Sequence, residues 1–169
     1  MPEYLFPSLF IFPCVLAFAA ATDLLTFTIP NRLSLALVIA FFICSNIANF
    51  PLDTMMQHLS ASLLLLVSGF IMFARGWIGG GDAKLLASAG LWVGLKGLLP
   101  FILWTAILGG NLAVLLIAYR RMLPPLWLIG QPWAMRLHDP KEGIPYGVAI
   151  AGAGLIVYPQ TIWMTGIAS

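Results

Sequence analysis

Apolar residues run through this chain in stretches of membrane length, and charged residues fall almost entirely in the breaks between them. Six stretches are read as spanning helices, over residues 5–22, 33–50, 59–75, 83–96, 99–119 and 146–165. A helix that crosses a bilayer needs about 20 mostly apolar residues. Of the 169 residues, 61% are hydrophobic and 8% charged, whereas soluble domains carry roughly 25% charged residues. No soluble fold of this length hides so much apolar surface. The expectation is an all-α membrane protein, one polytopic domain over 1–169, with almost nothing left for a separate soluble domain.

Ala17-Phe18-Ala19 has the small-x-small form of a signal-peptide cleavage site, but Met1-Pro2-Glu3-Tyr4 carries an acid and no base. A secretory signal wants a positive n-region, so the segment reads as a retained first helix. Cys14 and Cys44 both fall inside apolar spans and read as small packing residues. Nothing has a paired-cysteine zinc spacing. No metal, cofactor or nucleic-acid partner is expected.

Six spans place both termini on one side. The alternate loops on the opposite side then hold Arg32, Arg75, Lys84, Arg120, Arg121, Arg136 and Lys141, seven of the eight basic residues. Only Lys96 falls on the side of the termini. The positive-inside rule makes the basic side cytoplasmic and both termini extracytoplasmic. Asp23 and Asp82 then share the cytoplasmic face. The connection over 120–145 holds Pro124-Pro125, Pro132 and Pro140, which argue against another spanning helix. Trp127 and Trp133 beside basic residues suit a cytoplasmic loop lying in the interface.

Asp23 closes the first span. A helix C-terminus carries partial negative charge, so capping chemistry does not explain an acid there. It reads either as an interfacial acid reaching water or as a carboxylate held for a partner. Ile29-Pro30-Asn31-Arg32 reads as a turn, with Asn31 capping the second helix. Asp82 opens the fourth span, where Asp is a favoured N-cap. Capping does not require Gly79, Gly80 and Gly81 before it. That run reads as irregular backbone whose glycines allow positive φ and close approach, beside a short helix of about 14 residues, roughly 21 Å, ending near Lys96-Gly97. The pair suggests a water-accessible recess. Lys84 reads as snorkelling to the interface, favouring a nearby carboxylate or binding an anion.

Asp23 at the end of the first helix, Gly-x-Gly-Asp-x-Lys-Leu over 79–85, and Ile144-Pro145-Tyr146-Gly147-Val148-Ala149-Ile150 opening the last helix resemble the type IV prepilin peptidases. The short form of the tight-adherence (Flp) pili is the most similar. The resemblance covers nearly the whole chain. It implies a membrane aspartic protease of the Gly-x-Gly-Asp type, with Asp23 and Asp82 as catalytic pair and no metal. Gly79, Gly80, Gly81, Lys84, Pro145, Tyr146 and Gly147 are then motif residues that position substrate. It also implies a bacterial inner membrane location, and a prepilin or pseudopilin substrate cut after a short basic leader. Longer members carry a cysteine-rich zinc-binding insertion and N-methylate the new terminus. This chain lacks the insertion, and methyl transfer is not expected of it. Two carboxylates in one site cannot both ionise easily and titrate as a unit. The helix dipoles favour Asp82 as the initial base and Asp23 as the initial acid. The alternatives are a small proton- or ion-coupled transporter using the same acids, and a non-catalytic assembly subunit.

Overall fold

The computed structural model describes residues 6–123, 130–139 and 142–168, which form helices and short turns with no strand among them. The first five residues, and Pro124-Pro125, Trp127, Pro140 and Lys141 of the long connection, lie outside the described residues. Backbone flanked by apolar side chains must pair its N–H and C=O groups within its own segment, which is why the apolar runs are helical.

Helices α1 (Phe6–Thr26), α2 (Asn31–Ile47) and α3 (Leu52–Ala74) follow one another through tight turns. Pro30 and Pro51 occupy the N-cap positions of α2 and α3 in extended conformation. Asn31 is therefore the first helical residue of α2 and not its cap, because the fixed φ of proline already sets the entry. α1 runs past the expected end at 22 and stops where Phe27 turns left-handed at φ 54.

Two helical segments make up α4 (Gly80–Arg121), divided by a kink at one non-helical residue, Gly94, at φ 71 and ψ 176. A straight helix would put Asp82 and Gly110 about 42 Å apart at about 1.5 Å per residue. Both line a single groove instead. Gly97 lies against Val157, and Gly109 against the ring of Tyr146. The segment 95–121 therefore turns back from Gly94 and runs antiparallel to α6 (Tyr146–Val157). The break expected near Lys96-Gly97 falls at Gly94, since that conformation is open only to glycine. The break frees carbonyls of the preceding turn, and two side chains take them up. His58 Nδ1 donates to Leu91 O at 2.7 Å, and Trp163 Nε1 donates to Trp92 O at 2.9 Å.

α5 (Pro132–His138) lies in the long connection. Arg120 at the end of α4 donates to the carbonyls of Leu137, Glu142 and Gly143, which ties that connection to the bundle. The stretch expected as one helix over 146–165 is divided. A 3₁₀ turn at Tyr158–Gln160 separates α6 from α7 (Ile162–Ala168), because Pro159 has no N–H to continue the ladder. By length and composition, α3, α4 and Tyr146–Thr165 are apolar enough to cross a membrane, and Phe10–Thr26 and Asn31–Ile47 are shorter apolar helices.

An aromatic cluster of Phe12, Phe41, Phe50, Trp92 and Trp163 fills the end of the bundle near Gly94. The other end gathers the C-terminus of α1 and the N-termini of α2, α4 and α6. Arg32, Arg75, Lys84, Arg120 and Arg121 lie at helix ends there, while Lys96 follows Gly94 at the aromatic end.

Candidate active site

Asp23 sits in the last turn of α1 and Asp82 in the first turn of α4, and both line one cavity of about 240 Å³. Phe27, Thr28, Ile29, Asn31 and the glycines 79–81 complete its wall. Both carboxylates are buried, at 4% and 8% exposure, and they are close enough to feel each other's charge. A buried carboxylate is expensive without a hydrogen bond, and each has a backbone partner.

Asp23 Oδ2 accepts the Gly147 N–H at 2.7 Å. Gly147 lies in the first turn of α6, where backbone N–H groups have no helical acceptor and the dipole is positive. The N-terminus of α6 thus offsets the unfavourable dipole of α1. Because Asp23 and Asp82 each stand at a helix N-terminus, the helix-dipole argument for telling acid from base loses its basis. Gly147 admits no side chain. A Cβ there would lie 2.7 Å from Asp23 Oδ2 and 2.6 Å from Ile29 Cδ1.

Asp82 is the third helical residue of α4, and Gly79 is the N-cap. The expected capping role reverses, with Asp82 Oδ2 accepting the Gly79 N–H at 3.1 Å. Asp82 Oδ1 is buried and has no hydrogen-bond partner among the described residues. The glycine run is not irregular backbone, since Gly80 and Gly81 belong to the first helical turn. Positive φ occurs instead at Gly76 and Gly94. The run serves by close approach. A Cβ on Gly81 would meet Ile29 Cβ at 3.2 Å, so the absence of side chains lets α4 start against the α1–α2 turn.

Lys84 Nζ donates to Asn31 Oδ1 at 2.9 Å on the exposed surface, joining α4 to the start of α2. The ion pair found among the described residues is Arg136 with Glu142 at 3.7 Å, so neither aspartate is ion-paired there. Pro145 is fully buried, and Tyr146 packs over Gly109 and lines the groove beside Asp82. Among the described residues no three His, Cys, Asp or Glu side chains stand together as metal ligands do.

Sequence reasoning missed Phe27 and Ile29 as cavity walls and Gly147 as a partner of Asp23. Phe27 holds a left-handed conformation that is rare for a bulky side chain and is found at functional sites. Its N–H returns to Asp23 O at 2.8 Å, closing α1 directly beneath the acid.

Residues 10–114, more than half of the chain, match the type IV leader peptidase family. The match includes both aspartates and the glycine run, and it stops before Pro145. The prepilin leader peptidase/N-methyltransferase of Xanthomonas campestris pv. campestris is 28% identical over 156 residues, covering 86% of this chain and 47% of that protein. The chain spans about half the length of this curated relative. No solved structure matches it.

Proposed function

The chain belongs to the type IV leader peptidase family, and from that premise we propose that it is a membrane-embedded aspartic endopeptidase that removes the short basic leader of a prepilin or pilin-like precursor. The observation that carries this reading is the burial of Asp23 and Asp82 in one cavity. The two acids are 59 positions apart in the sequence and meet only in the fold.

One carboxylate, ionised, takes a proton from water, while the other, protonated, polarises the scissile carbonyl. Water adds to the carbonyl carbon. The tetrahedral intermediate collapses as a proton passes to the leaving amine, and the pair returns to its singly protonated state. Gly147 and Gly79 each fix one carboxylate oxygen by a backbone N–H. The geometry is preset before substrate arrives, which is where such sites gain rate. The pair does this without a metal or a covalent intermediate.

The protein is read as a multi-pass protein of the bacterial inner membrane, with six spans, both termini extracytoplasmic and the dyad at the cytoplasmic face. The basic residues collected at the dyad end of the bundle support that orientation. Biogenesis of tight-adherence (Flp) pili is its proposed setting. Methyl transfer is not part of this reading.

The test is cleavage of a prepilin by the purified protein in detergent, compared with Asp23→Asn and Asp82→Asn. Asn keeps size and removes acid–base capacity. Cleavage by the wild type alone is expected. Robust cleavage by either variant would sink the dyad, and no cleavage of any pilin-like substrate by the wild type would sink the peptidase reading.

A further inference from the structure

A second depression, of about 590 Å³, runs between α3 and the returning segment 95–121. Leu65, Met72, Ile102, Ala106 and Ile150 make most of its wall apolar, and Trp77 stands at its rim with the Arg75 guanidinium 5.2 Å from its ring. Among the described residues, Asp82 is the one that lines both this groove and the polar cavity holding Asp23. A polar recess and an apolar groove thus meet at a single carboxylate.

We propose that this groove seats the hydrophobic helix of the substrate. The polypeptide leaves the groove at Asp82, and its polar leader continues past Asn31 and the glycine turn. This inference rests on the leader-peptidase reading and names where that substrate binds. Two observations favour a polypeptide over a lipid chain as the occupant. The groove reaches Asp82, the residue it shares with the polar cavity; an acyl chain has no amide to offer a carboxylate, whereas a polypeptide backbone does. The wall also carries small residues, Ala106 and Gly110, on its outer side, and a Cβ on Gly110 would touch nothing within 4 Å. Small residues let a second helix approach closely in a bilayer, where packing drives association.

The test uses full-length prepilin with single cysteines along its apolar helix. The peptidase has Cys14 and Cys44 replaced by alanine and carries either Ala106→Cys in the groove or Leu63→Cys on the exposed face of α3 outside it. Cross-links are expected from Ala106→Cys with helical periodicity, and few from Leu63→Cys. A second variant, Gly110→Trp, places a bulky ring in the groove from a position whose Cβ has no neighbour within 4 Å. Its kcat/KM should fall at least tenfold more for full-length prepilin than for a soluble peptide of the leader and the first few mature residues, through KM. Equal cross-linking at the two sites, or equal loss on both substrates, overturns the groove. A wild type that cleaves no prepilin overturns the parent reading and this one with it; a wild type that cleaves while the groove tests fail overturns this one alone.

Discussion

The backbone amide of Gly147 is hydrogen-bonded to Asp23 at 2.7 Å across 124 residues of sequence. The bond joins the last turn of α1 to the first turn of α6, and it fixes the carboxylate on which the proposed chemistry depends. Substituting Gly147→Ala would force a methyl group to 2.7 Å from the Asp23 oxygen and 2.6 Å from Ile29. Cleavage should fall about 100-fold, as for misplacement of a reacting group by about 1 Å. Prepilin cleavage rates beside the thermal stability of the same preparation check this, and a fully active Ala variant would contradict it.

Asp23→Asn and Asp82→Asn act on one shared step, so their effects should not multiply. Each single variant and the double variant are expected at the same residual rate, roughly 10²–10⁴-fold below wild type. Single-turnover assays on the three proteins measure it. A double variant much slower than either single one would mean that the acids work separately.

Gly94 stands in a region of φ and ψ open to glycine alone, and a Cβ there would lie 2.9 Å from the His58 ring. Gly94→Ala should cost about 1–3 kcal/mol from backbone strain alone. Thermal or denaturant unfolding in detergent reads it, and an unchanged midpoint would refute the strain.

His58→Phe keeps a ring in the aromatic cluster and deletes the donor to Leu91 O. One buried carbonyl is left without a partner, at a cost of about 1–3 kcal/mol. The same unfolding assay applies. His58 is far along α3 from Asp82, so residual folded protein should still cleave.

Lys84 donates to Asn31 on the exposed surface and pairs with neither acid. Lys84→Met should change stability by no more than about 0.5 kcal/mol, and cleavage within a few-fold. A collapse of kcat with folding intact would instead give Lys84 a direct part in the reaction.

The helical character of the chain and the presence of both acids at one end of the bundle are legible from apolar run lengths and the phase of the breaks. Those are local patterns that add up along the sequence. The Gly147–Asp23 bond is not legible, because nothing local marks which amide a helix-ending acid meets 124 residues later. The break in α4 falls two residues before the expected helix end at Lys96. Lys96-Gly97 offers a charge and a glycine together, whereas the turn needs Gly94, before which the carbonyls of Leu91 and Trp92 accept from His58 and Trp163. From sequence alone the glycine run reads as irregular backbone, because glycine signals both unusual φ and missing bulk. Only the neighbour, Ile29, decides that bulk is the issue at Gly81. Pro159 falls inside the stretch read as one helix over 146–165, where the surrounding hydrophobicity hides the break that its missing N–H imposes.

The turn at Gly94 makes the returning half of α4 a lever pivoted at the far end of the bundle. Gly110 lies 16 residues from the pivot, about 24 Å along the helix. A tilt of about 5° at one glycine would carry Gly110 roughly 2 Å towards or away from Asp82, by the same rise. The width of the groove that Asp82 lines thus depends geometrically on the backbone at Gly94. The His58 and Trp163 hydrogen bonds to Leu91 and Trp92 brace the turn on which that geometry depends.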